Sequence, residues 1–143
     1  MKQTPAIVER YFETPVSKVW DALTINEQIK KWYLQLDKFI PEVGFEFEFW
    51  GGEEGGPQYH HKCRIIEVIA YKKLSYTWRF ESYEGDSVVT FELFIQGTGT
   101  RLLLTHSGIE SFAGIGKGFA PGDFIEGWEA LLKKSLQGYM MTH

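Results

Sequence analysis

The sequence is short of several things, and each shortage closes off a class of protein. Only one cysteine, Cys63, occurs in 143 residues, so no disulfide can form within the chain. That fits a reducing, cytoplasmic setting. No apolar run approaches the roughly 18 residues of a membrane helix, so no membrane insertion is expected. The opening "MKQTPAIVERYF" has no apolar h-region, so no signal peptide is expected either. Positive charge is scarce, with 15 Lys and Arg against 19 Asp and Glu, a net charge of −4 and a pI near 5.6. Nucleic acid and anionic membrane surfaces call for a basic face, so neither is an expected partner. No repeat and no linker composition interrupts the chain, and its length suits a single domain over 1–143.

Aromatic residues, by contrast, are abundant: 11 Phe, 7 Tyr and 5 Trp make up 16% of the chain. Rings in that number build an aromatic core, line a cavity, or do both. Ala6 to Phe12 predicts a first strand. Thr14 and Pro15 suit the start of a helix, with Val16, Val19, Trp20 and Leu23 as its buried stripe. Thr24 and Glu27 have capping-box spacing, which predicts a second short helix with Ile29, Trp32 and Tyr33 inward. From Phe45 the period becomes two: Phe45, Phe47 and Phe49 point one way, Glu46 and Glu48 the other. "GGEEGGP" over 51–57 reads as a mobile turn. Strands follow at Tyr59 to Ile69, Leu74 to Phe80, Val88 to Ile95 and Arg101 to Ser107, joined by turns at Gly85 and at "QGTGT". The glycine-rich "GIGKGFAPGD" then leads, as a connection or a gate near a cavity mouth, into a last helix over Phe124 to Met140. Gly127 inside that helix costs roughly 1 kcal/mol against alanine. A close approach of the helix to a strand or loop would explain it. The class is therefore α+β, with a curved antiparallel sheet covered by the long C-terminal helix.

The segments "PVSKVWDALTINEQIKKWY", "VGFEFEF", "CRIIEVIAYKKLSYTW", "GTRLLLTHSG" and "GWEALLKKSLQGYM", in this order, resemble the SRPBCC (START-like, helix-grip) superfamily. They resemble most its branch named for the activator of heat shock protein 90 ATPase, over nearly the whole chain. The resemblance implies a sheet gripping the last helix around a hydrophobic cavity. It also implies a range of roles: lipid or polyketide binding, cyclisation, or co-chaperone action in a stress response.

On that frame the candidate ligand-binding residues are Trp32, Phe47, Phe49, Trp78, Phe80, Phe91, Leu104, His106, Trp128, Leu132 and Tyr139. His106 stands among inward apolar positions. It reads as a core histidine with satisfied partners, as a polar handle, or as a weak candidate for general acid–base catalysis. His61 and Cys63 share a strand face, roughly 7 Å apart by strand rise, and His60 faces away. No metal site and no thiol nucleophile is expected from these three, and no cofactor is expected. The leading expectation is a non-enzymatic protein, monomer or homodimer, holding a small apolar or amphipathic ligand. The alternatives are a module that interacts with a chaperone and a cyclase- or dehydratase-like enzyme using His106.

Overall fold

Alternation of apolar and polar side chains sets the sheet. The computed structural model describes residues 5–52 and 55–142. Strands β1 (Ala6–Phe12), β2 (Glu46–Gly52), β3 (Gln58–Ile69), β4 (Lys73–Phe80), β5 (Ser87–Gln96) and β6 (Gly99–Ser107) form one antiparallel sheet in the order β1-β6-β5-β4-β3-β2. β2 to β6 run as a meander, and β1 lies against β6 with Val8 opposite Leu104. The register of β3 on β4 shifts between Ile65 and Glu67, a bulge that adds twist. Ile65 stays buried, while Glu67 turns out and pairs with Lys73 at 3.0 Å. Of the turn expected over 51–57, positions 53 and 54 lie outside the described residues, and Gly51 and Gly52 belong to β2.

Helices cover one face. α1 (Val16–Thr24) and α2 (Asn26–Trp32) follow β1. Neither expected side-chain cap forms: Pro15 and Ile25 occupy the cap positions. Thr24 is the last residue of α1, and its hydroxyl donates back to the Trp20 carbonyl at 2.8 Å instead. After β6 a 3-10 turn (Ile109–Ile115) leads to α3 (Pro121–Ala130). The helix continues through a π-helical turn (Leu131–Leu136) into α4 (Gln137–Thr142). It starts before Phe124 because Pro121 fits the first turn and Asp123 accepts the Ala120 N–H at 3.1 Å. The close approach expected at Gly127 is absent, since a Cβ there would meet nothing within 4 Å. No described helix is long and apolar enough to cross a membrane.

Candidate functional site

Period two brings Phe47 and Phe49 of β2, His61 and Cys63 of β3, Tyr76, Trp78 and Phe80 of β4, Phe91 of β5, and Leu104 and His106 of β6 to the covered face. Trp128 of α3 descends onto it. Its ring centroid lies 5.5 Å from Trp78, 5.7 Å from His106, 6.2 Å from Phe91 and 6.1 Å from Tyr33. The space expected beneath Trp128 is thus occupied by rings.

His106 is fully buried in this cluster. The Trp128 Nε1–H donates to its Nδ1 at 3.0 Å. Indole nitrogen only donates, so Nδ1 is the acceptor and the proton sits on Nε2. Nε2–H faces Ser87 Oγ at 2.8 Å, and the Ser87 hydroxyl donates on to the Trp78 carbonyl at 2.7 Å. Burial pulls the imidazole down to about 3 from its ordinary 6.5. It is therefore neutral near pH 7, and both nitrogens are engaged. In this arrangement it holds the helix to the sheet and offers neither a proton nor a free lone pair.

Space remains elsewhere. A void of about 10 Å³ is lined by Leu23, Ile29, Tyr33, Leu34, Leu36, Phe39, Phe47, Leu74, Tyr76 and Phe91. That is room for about one water. The lining contains no charged side chain, and its polar feature is a pair of phenols, Tyr33 and Tyr76, with hydroxyls 2.8 Å apart. Only one of the two can donate to the other. The second proton has no protein acceptor among the described residues, and it lies beside the void. Burial raises both phenols above their ordinary 10, so both stay protonated.

Two residues along β4, Trp78 is 8% exposed and its Nε1–H also lacks a partner among the described residues. Cys63 lies opposite Trp78 on β3, and burial pushes its thiol up, away from thiolate chemistry. His61 stacks on Phe49 at 4.4 Å with Nδ1 2.9 Å from the Tyr59 carbonyl, and burial lowers it to about 4. His60 lies on the outer face between Glu48 and Glu81, at 3.4 and 3.2 Å. Among the described residues no three His, Cys, Asp or Glu side chains converge to hold a metal. A wider concavity of about 410 Å³ lies on the outer side of β2 to β4, edged by Glu46, Glu48, Lys62, Arg64 and Arg79. Its mixed charges do not suit an apolar ligand.

The eleven sequence candidates separate into three groups. Phe47 and Phe91 line the void. Trp78, Leu104, His106, Trp128 and Leu132 are buried but do not line it. The others stand apart. Trp32 donates to the Ala22 carbonyl at 2.8 Å and fixes the α1–α2 corner. Phe49 and Phe80 flank His61 toward the far end of the sheet. Tyr139 donates to Gln28 Oε1 at 3.0 Å on the side of the last helix. Sequence reading passed over Leu74 and Tyr76, which continue the inward period of Trp78 and Phe80 back along β4. It also passed over Leu34, Leu36 and Phe39, which follow no period.

The chain, a six-stranded antiparallel sheet gripping a long terminal helix, matches the model of a known family over residues 13–141. The chain belongs to the activator of Hsp90 ATPase homolog 1-like proteins. Solved structures share the fold of this family member. Protein MLL2253 of Mesorhizobium loti is 29% identical, with 97% of this chain and 98% of that one covered and a TM-score of 0.77. CalU16 of Micromonospora echinospora is 20% identical over 97% of this chain and 85% of its own, with a TM-score of 0.72. DynU16, a protein of the dynemicin biosynthetic locus, is 19% identical over 96% of this chain and 47% of its own, with a TM-score of 0.77. No curated protein matches the chain.

Proposed function

We propose that the protein, with 1–143 acting as one domain, binds a small hydrophobic or amphipathic molecule between sheet and helices without transforming it. The observation that carries this reading is the unpaired phenol proton in an uncharged, apolar lining. Packing alone would be served as well by phenylalanine at both positions. DynU16, from the dynemicin biosynthetic locus, supports the reading by kinship of fold.

A one-water void must widen to take such a ligand. The cover is residues 34–45, which contain no regular helix or strand. Asn26 Nδ2 donates to the Leu36 carbonyl at 3.0 Å and holds this segment to α2. Phe39 packs edge-on against Phe45 and Phe47, at 6.0 and 5.4 Å. Displacing Leu34, Leu36 and Phe39 opens a path beside α2, with Phe47, Tyr76 and Phe91 as the floor and Trp128 packed behind Phe91 and Tyr33. Each phenyl-sized group buried there contributes about 1.5–3 kcal/mol. Micromolar affinity corresponds to about 8 kcal/mol, so several such contacts are needed.

The test is a thermal-shift screen of lipids and aromatic polyketides, in which the apolar classes raise the midpoint. If no apolar class stabilises the protein, the proposal fails. The family's description supports a second reading, a module acting on the Hsp90 ATPase. An unchanged ATPase rate of the cognate chaperone at high concentrations of this protein would remove it. The enzyme reading through His106 gains nothing from a neutral ring with both nitrogens bonded.

A further inference from the structure

We infer that the site selects neutral molecules bearing a hydrogen-bond acceptor, that is, carbonyl compounds such as ketones, esters and quinones. This rests on the binding reading above and names the chemistry that the ligand must bring.

Among the described residues, the unpaired polar groups along the covered face of β4 are donors. One phenol proton of the Tyr33–Tyr76 pair has no acceptor among these residues, and Trp78 Nε1–H, itself 8% exposed, has none among them either. Tyr76 and Trp78 are neighbours on one face of β4. The buried acceptors without partners, Asn26 Oδ1 and Glu110 Oε2, belong to the start of α2 and to the 3-10 turn, outside the void's lining. The acceptors nearest the void are the phenolic oxygens, already in a hydrogen bond with each other.

Four functional groups on one ring system therefore meet different fates. A hydrocarbon leaves the phenol proton unpaired. A ketone oxygen accepts it and brings no proton of its own. An alcohol also accepts it, but its own hydroxyl proton then needs an acceptor in an apolar lining. A carboxylate accepts it but brings a charge into a site with no Lys or Arg to offset desolvation.

The experiment titrates the protein with ethylnaphthalene, acetonaphthone, naphthylethanol and naphthoate by calorimetry, and repeats the series on Tyr33→Phe/Tyr76→Phe and on Trp78→Phe. The ketone should bind about tenfold tighter than the hydrocarbon, the alcohol should fall between them, and the carboxylate should bind weakest. One of the two variants should erase the ketone preference while keeping hydrocarbon affinity, which also shows that it is folded. Equal affinity for ketone and hydrocarbon, or a preference that survives both variants, overturns this inference and leaves the binding reading standing. Tightest binding by naphthoate overturns it equally. Absence of binding by all four probes overturns both.

Discussion

Trp128, His106 and Ser87 form a chain of hydrogen bonds from the last helix to the Trp78 carbonyl on β4. Trp128→Phe keeps most of the ring contacts but leaves Nδ1 of a buried imidazole without its donor. The expected loss is about 1–3 kcal/mol in urea unfolding. The same imidazole makes stability depend on pH. Unfolded, it takes up a proton near 6.5; folded, it resists until about 3. Between those values the unfolded chain holds more protons, so stability is full above 6.5 and falls as the pH drops, by at most about 1.4 kcal/mol per unit. His61, held down to about 4, adds a loss of the same sign over a narrower range. Urea midpoints measured from about pH 4 to 7 should show this slope, and His106→Asn should flatten it. A slope unchanged in that variant would assign the effect to other groups. The histidine's inward face was legible in the alternation of β6. Its partners were not, because Trp128 and Ser87 lie 22 and 19 residues away and only the folded sheet and helix bring them together.

At the scale of elements, the strands were the most legible part, because a half-buried sheet writes its period into the sequence. "FEFEFW" gives β2 directly, and the strand limits shift by a residue or two. Helix starts were less legible. Threonines at capping spacing compete with back-bonding to the preceding turn, and at Thr24 the back-bond wins. The cover over the void was not legible, since residues 34–45 carry no periodic signal. Two glycines separate local preference from packing. Gly127 is exposed with open space where a Cβ would go, so Gly127→Ala should stabilise by about 1 kcal/mol, seen as a rise of a few degrees in Tm. A loss of stability would restore the close approach that its position suggests. Gly85 is the opposite case. Its φ is +123°, and a Cβ would stand 2.6 Å from the Phe112 ring. Gly85→Ala should cost about 1–3 kcal/mol by the same measurement.

Across the whole molecule, one sheet face is wet and lightly paired, and the other holds rings, two short helices and the long one. The covered face is densely filled where Trp128 lands and slack where Tyr33 meets Tyr76. Fold membership could be read from ordered motifs spread over the chain. The place of the slack could not, because it depends on how rings of similar size divide the interior. Replacing both phenols by phenylalanine removes the unpaired proton at nearly constant volume. Tyr33→Phe/Tyr76→Phe should therefore leave Tm unchanged or slightly raised. A marked drop would mean that the hydroxyls serve the fold rather than a ligand. The most direct measurement is heteronuclear NMR of the protein titrated with acetonaphthone, following backbone amides and the indole N–H of Trp78. Shifts concentrated at Leu23, Tyr33, Leu36, Phe39, Phe47, Tyr76, Trp78 and Phe91 are the expected result. Shifts confined to the outer face of the sheet, or none at saturating probe, would contradict a site between sheet and helices.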